Sequence, residues 1–289
     1  MRDLNPANFR NSDDFLAAVE ENIEILLSVK NELIGLKTKK SYQTLESRFK
    51  FLDAQPALRF IPTGLGWLDS YLARGGFAEG SFINIAGASG AGKTFLILQI
   101  LQKLGESEKV AFFSFEMHDK VLYRKLKYSK QAFRANTYFL DESVFLDQIE
   151  ADVKTLAKDY GVKIFAIDSR MKIQIKGQKD EYLKNMEISA VLSRLCRELG
   201  AIILLINQRS NESLKTGQLG LKGGNEQVYD SDMIFYVEYD KETNERWLIC
   251  DKDRLSDSGK KWKVKIPDLF KKEPREVYFN EEPERADLR

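Results

Sequence analysis

Gly87-x-x-x-x-Gly92-Lys93-Thr94 follows the apolar run Phe82 to Ala86 and leads directly into the apolar stretch FLILQILQKL. A strand, a glycine-rich turn and a helix in that order make a phosphate-binding loop. Glycines let successive backbone N–H groups of Gly87, Ala88, Ser89, Gly90, Ala91 and Gly92 curl around an anion, and the helix N-terminus behind them attracts negative charge. Lys93 is expected to reach the terminal phosphates, and the Thr94 hydroxyl to ligate magnesium.

Such a loop acts with groups at the carboxyl ends of neighbouring strands, so polar residues directly after apolar runs are the other candidates. KIFAID ends in Asp168, suited to hold magnesium through its water shell, and KVAFFSF is followed by Glu116, placed to act as general base on an attacking water or else to cap the next helix. AIILLI is followed by Asn207 and Gln208, an amide pair that could touch the γ-phosphate or serve loop hydrogen bonding. Lys252 and Arg254 close the run ERWLIC one residue apart, so both can project from the same side of a strand. They read either as a solvated hairpin tip or as cations reaching a neighbouring subunit's γ-phosphate. Two further stretches hold Arg170, Lys172, Lys176 and Lys179, and Arg209, Lys215 and Lys222. Lysines and arginines among flexible residues suit sequence-independent contact with nucleic-acid phosphates, or form a solvated face.

The elements that must position these groups alternate. Strands are predicted at 82–86, 109–115, 163–168 and 201–206, with helices near 93–104, 119–131, 143–160 and 183–199, which implies a parallel sheet. Three short strands at 232–238, 246–251 and 261–266 suggest an antiparallel extension. Ahead of these, 12–36 reads as an amphipathic helix with Leu16, Val19, Ile23 and Leu26 on one face, and a second helix starts near Ser41 and ends before Pro56. The expected division is a helical segment over 1–60, an ATPase domain over 61–270 and a charged tail over 271–289.

With 43% apolar and 31% charged residues the chain has the composition of a soluble globular protein, and its net charge of +1 exerts no general pull toward nucleic acid or membrane. Cys196 and Cys250 lack metal-ligand spacing and read as buried thiols of a reducing compartment. No stretch approaches a membrane span, and no signal sequence opens the chain, so a cytoplasmic location is expected.

TGLGWLDSYLARGGFAEGSFINIAGASGAGKT, VAFFSFEM, IFAID, EISAVLSRLCRELGAIILLINQ, DSDMIFYVEYD and CDKDRLSDSGKKWKVKI occur in an order that resembles the ATPase domain of DnaB-type replicative helicases, over roughly 62–267. The resemblance implies a RecA-like α/β P-loop fold, ATP and Mg2+ as ligands, and a ring-shaped homo-oligomer, a hexamer, moving on single-stranded DNA in replication. It implies Lys93 and Thr94 on phosphate and metal, Glu116 as the catalytic carboxylate, Asp168 as the Walker B residue, Gln208 as phosphate sensor, and Lys252 and Arg254 acting in trans. A helicase loader or primase would be a partner. The primase-engaging helical domain of that family has no counterpart in residues 1–60, and SRMKIQIKGQKDEYLK departs from the family's aromatic-leucine-glutamine run. LKGGNEQVYDSD departs too, and its Gly-Gly-Asn is closer to recombinases of the RecA group. A recombination ATPase and an ATP-dependent switch or loader that does not unwind DNA therefore remain as alternatives.

Overall fold

The structure, a computed structural model, describes residues 4, 8–37, 44–142, 144–177, 180–210, 219–221, 229–256 and 261–267. The chain divides into two compact units, 1–57 and 58–289.

In the first unit, α1 spans Ser12–Lys37 and α2 spans Leu45–Asp53. Each start is capped by a side-chain oxygen: Asn11 Oδ1 accepts from Asp14 N at 2.8 Å, and Thr44 Oγ1 accepts from Ser47 N at 3.2 Å. The helix foreseen from Ser41 thus begins four residues later, at its threonine cap. Among the described side chains of α1 the buried ones are Ala18 and Asn22, whereas Leu16, Ile23 and Leu26 of the predicted apolar face are exposed. No residue of α2 is buried, and Leu45, Phe49 and Leu52 face solvent.

The second unit is a three-layer α/β sandwich. Its strands are β1 (Phe60–Ile61), β2 (Phe77–Ala78), β3 (Phe82–Gly87), β4 (Val110–Ser114), β5 (Thr137–Leu140), β6 (Ile164–Asp168), β7 (Ile202–Ile206), β8 (Met233–Asp240), β9 (Glu245–Asp253) and β10 (Trp262–Ile266). The helices are α3 (Gly66–Asp69), α4 (Lys93–Leu104), α5 (Asp119–Leu126), α6 (Gln131–Asn136), α7 (Leu146–Asp159) and α8 (Glu181–Leu199). β1 and β2 form a separate antiparallel ribbon, and the other strands make one sheet in the order β10-β9-β8-β3-β7-β6-β4-β5. From β8 to β5 neighbouring strands run parallel, while β9 and β10 are antiparallel to their neighbours. β8, foreseen as part of the antiparallel extension, pairs parallel to β3 on one side and antiparallel to β9 on the other.

β3, β4, β6 and β7 are buried along their whole length because helices cover both faces, which is why each reads as an unbroken apolar run. Alternate residues serve the two layers. Ile83, Ile85, Phe112 and Leu204 pack with Leu96, Ile97 and Ile100 of α4. Phe82, Phe113, Phe165 and Ile203 pack with Ile149 and Val153 of α7 and Ile188 and Leu192 of α8. Two elements differ from expectation. The single helix foreseen at 119–131 ends at Leu126 and is followed by the separate helix α6, and the unforeseen strand β5 lies at the sheet edge, partly exposed and only four residues long.

Candidate active site

The phosphate loop joins β3 to α4 at the carboxyl ends of the parallel strands. Two of its glycines are required by their surroundings. A Cβ on Gly87 would lie 2.6 Å from the Val237 carbonyl oxygen of the adjoining strand, and Gly92 has a φ of +104° with the Arg246 side chain 3.2 Å from where a Cβ would be. The Lys93 ammonium donates to the carbonyls of Gly87 (3.1 Å) and Ala88 (2.8 Å), inside the loop. Burial pulls its pKa below the usual lysine range, and the carboxylates of Asp168 and Glu116 oppose that shift.

Lys93, Thr94, Glu116, Asp168, Ser169 and Gln208 line one cleft of about 290 Å³. The three strand ends foreseen to converge on the loop therefore meet it. Thr94 Oγ1 donates to Asp168 Oδ2 at 2.7 Å, and the Ser169 hydroxyl donates to Glu116 Oε1. Asp168 is 1% exposed, and its other oxygen, Oδ1, has no hydrogen-bond partner among the described residues. Burial raises the Asp168 pKa to about 6; the Thr94 hydrogen bond opposes this, the Glu116 charge adds to it, and Lys93 counters.

An orphaned buried carboxylate oxygen beside a threonine hydroxyl is a hard-oxygen donor set, and it fits a magnesium ion that takes its remaining ligands from water and phosphate. Among the described residues no group of three or more His, Cys, Asp or Glu side chains could hold a metal ion by itself.

Of the residues assigned to nucleic acid, Arg170 is corrected by the structure. It is 2% exposed, and its Nε donates to Asn207 Oδ1 at 2.8 Å, so it is a core group rather than a surface contact. Burial lowers its pKa to about 10, with Glu181 opposing. Arg209 is also drawn inward: its side chain is 8% exposed, pairs with Glu238 at 3.3 Å, and lies 6.0 Å from the Tyr236 ring centre. Lys172 and Lys176 are exposed, Lys176 meeting Asp147 at 2.9 Å. Lys179, Lys215 and Lys222 lie outside the described residues.

Of the Lys252 and Arg254 pair, Arg254 stands at the other end of the strands. β9 runs antiparallel to β8, so Lys252 pairs with Ile234 near the start of β8, whereas Val237 further along pairs with Gly87. Asp253 between the two cations is buried, whereas Lys252 is half-buried and Arg254 is exposed. Arg254 donates to Asp232 Oδ1 at 3.3 Å and to the Tyr229 carbonyl, and Asp232 Oδ2 accepts from the amide that opens β3, Phe82 N, at 2.9 Å. Burial, with repulsion from Arg254, lowers the Lys252 pKa.

Three residues escaped the sequence reading. Ser169 holds Glu116 and follows Asp168 directly, so a hydroxyl one step past a strand-ending carboxylate was the available signal. Arg246 abuts Gly92, and Asn84 accepts from Asn207 Nδ2 at 3.3 Å inside the sheet. Neither neighbourhood leaves a mark in local sequence.

The sequence profile of the KaiC ATPase family matches residues 61–268. The chain belongs to that family. It is a RecA-like P-loop ATPase fold, and the match covers the cleft and the distal hairpin alike. The fold is similar to a KaiC-like protein of the archaeon Pyrococcus horikoshii (TM-score 0.57, 20% identity, 73% of this chain and 100% of that one). It is similar also to a DnaB-like replicative helicase solved for its interactions with primase (TM-score 0.64, 18% identity, 86% of this chain and 71% of that one). In sequence it is 23% identical over 185 residues to the DNA repair protein RadA of Streptococcus pneumoniae and 24% identical over 233 residues to RecA of Campylobacter lari. The chain spans 42% and 66% of the lengths of those two relatives. Among the described residues no helix of this KaiC-family protein is long and apolar enough to cross a membrane.

Proposed function

We propose that this chain hydrolyses ATP at the interfaces of a ring, a hexamer of identical subunits, and uses the cycle to move along single-stranded DNA in the manner of a DnaB-type helicase. Residues 61–270 would form the motor and residues 1–60 the oligomerisation segment. The observation that carries the reading is the split between two half-sites. Lys93, Glu116, Asp168 and Gln208 share one cleft, while Arg254 sits at the opposite end of the strands, with Lys252 level with the middle of β3.

In the cleft, the loop amides of Gly87–Gly92 and the Lys93 ammonium bind the phosphates of ATP. Thr94 and Asp168 would hold Mg2+, which supplies charge neutralisation on the β- and γ-phosphates when bound. Glu116, oriented by the Ser169 hydroxyl, takes the proton of the attacking water on its carboxylate. Gln208, which lines the cleft, would sense the γ-phosphate. Arg254 of one subunit serves the cleft of the next, adding positive charge as negative charge redistributes in the transition state. The exposed Leu16, Ile23 and Leu26 of α1, and Leu45, Phe49 and Leu52 of α2, support assembly, because apolar side chains on two short helices gain by covering against another surface. Lys172 and Lys176, exposed on the segment that leaves Asp168, are the described candidates for DNA phosphates, continued by Lys179, Lys215 and Lys222.

A second reading, a recombination ATPase that assembles on DNA without separating strands, is favoured by the relatives named RadA and RecA. One experiment separates the readings: ATP hydrolysis with and without single-stranded DNA, run beside strand displacement on a forked duplex. DNA-stimulated hydrolysis with displacement is the expected result. Stimulation without displacement selects the recombination reading, and hydrolysis indifferent to DNA sinks both.

A further inference from the structure

Behind the cleft, on the sheet face away from α4, lies a chain of buried polar side chains. Arg170 Nε donates to Asn207 Oδ1 (2.8 Å), Asn207 Nδ2 donates to Asn84 Oδ1 (3.3 Å), and Asn84 Nδ2 donates to Ser231 Oγ (2.7 Å). All four residues are buried. Asn207 Oδ1 accepts a second hydrogen bond, from the backbone N–H of Gln208 at 2.9 Å, and Asn207 N donates to the Ile85 carbonyl at 2.9 Å. The row therefore ties the end of β6, the end of β7, the middle of β3 and the approach to β8.

Burial disfavours the charge of the cation in this row, and Glu181 opposes that shift. Taking a guanidinium out of water is costly, and the bond that Arg170 gives Asn207 must offset that cost. What the cation contributes is orientation. The two ends of an asparagine amide are nearly equal in size, and only their partners decide which end faces which way. Arg170 has donors alone to offer, so it admits only the carbonyl end of Asn207. With Oδ1 held there, the same oxygen receives Gln208 N, and Nδ2 is turned to Asn84. Arg170 is also the residue after Ser169, whose hydroxyl holds Glu116.

We propose that Arg170 is a positioning residue for ATP hydrolysis: through Asn207 it sets the backbone of Gln208 at the phosphate end of the cleft. This rests on the reading of the cleft as an ATP site. Gln208 lines the cleft beside Lys93, Thr94 and Glu116, so a displaced Gln208 backbone misplaces its amide toward the reacting phosphate while the loop that binds ATP stays intact.

The test is a kinetic cycle. Arg170→Met keeps length and volume and removes the donors. Its KM for ATP should stay within about twofold of the parent's and its kcat should fall roughly tenfold or more, the scale of a lost hydrogen bond to a charged group. Arg170→Lys, which retains charge and one donor group, should recover part of the rate. In a Gln208→Ala background the Arg170→Met effect on kcat should shrink to about twofold or less, because both changes act through one residue. If Arg170→Met does not fold, by circular dichroism and thermal melting, Arg170→Lys enters the cycle, and its smaller fall in kcat should likewise disappear in the Gln208→Ala background. A kcat equal to the parent's, or an effect that multiplies in full with that of Gln208→Ala, overturns the proposal. A parent protein that neither binds nor hydrolyses ATP overturns the reading of the cleft instead, which keeps the two failures apart.

Discussion

The carboxyl and amino ends of the parallel strands carry charge in different ways. At the carboxyl end, Lys93, Glu116 and Asp168 are drawn into one cleft, where burial shifts the first and last away from their ordinary pKa values. At the amino end Arg254 stays 44% exposed, held by Asp232 and the Tyr229 carbonyl. The register sets three residues of strand between the level of Ile234 and Lys252 and that of Val237 and Gly87, roughly 10 Å before any sideways offset is added. One end is thus built as a binding cleft and the other as a projecting cation. On the proposed reading one phosphate is enclosed by two subunits, the cleft of one and the Arg254 of the next.

The comparison breaks most completely at Lys93. Lys93→Ala should abolish productive nucleotide binding, because a multiply charged phosphate loses its closest cation, whereas Glu116→Gln should bind ATP and lose most hydrolysis. Binding of a fluorescent ATP analogue beside phosphate release separates the two. Glu116→Gln turning over at the parent rate would return that carboxylate to a structural or capping role.

Arg254→Ala comes next, with a loss on the order of 10³ in turnover if it serves a neighbour's phosphate, against the ~0–1 kcal/mol that a surface ion pair contributes to stability. Its melting temperature should therefore stay close to the parent's while its activity does not. Mixing Arg254→Ala with Lys93→Ala subunits, each inactive alone, restores interfaces that pair an intact cleft with an intact arginine, and part of the hydrolysis should return. Parental turnover by Arg254→Ala in an assembled ring would remove the role in trans.

How far the two ends could be read in advance follows from what local sequence encodes. The cleft was legible because each contribution ends a fully buried strand, and such strands announce themselves as apolar runs closed by Asp168, Glu116 or Gln208. β5 was not: it is a short edge strand with a mostly part-exposed pattern, carrying neither an alternation nor a long run. Arg170 misled because a basic residue just past a strand reads as loop, and nothing nearby says that Asn207, thirty-seven positions away, will take its Nε–H in the interior. The contact of Arg246 with Gly92 is tertiary in the same sense. The exposed apolar residues of α1 had a clear helical spacing, but periodicity identifies a face without identifying what covers it.

The smallest effect tests whether the carboxyl end is organised at a cost in stability. Asp168 titrates at about 6 in the folded protein, above its ordinary 3.8, because burial disfavours the carboxylate more than the Thr94 hydrogen bond and Lys93 favour it. The folded state therefore holds this proton more tightly than the unfolded chain. The group's contribution to stability is complete below about pH 3.8 and is lost as the pH rises through about 6. In chelator-treated protein, Asp168→Asn removes the titrating group and keeps the volume, so it should melt higher than the parent at pH 7.5, by about 1–3 kcal/mol. That gap should narrow as the pH falls from 6 toward 4. Arg254→Ala, at the solvated amino end, should show no such pH-dependent gap. A constant difference between Asp168→Asn and parent from pH 7.5 to 4 would mean that the carboxylate is not desolvated, and the contrast between the two ends of the sheet would lose its electrostatic basis. Saturating Mg2+ should raise the parent's stability more than that of Asp168→Asn, since a cation favours the ionised carboxylate and gains less from an amide.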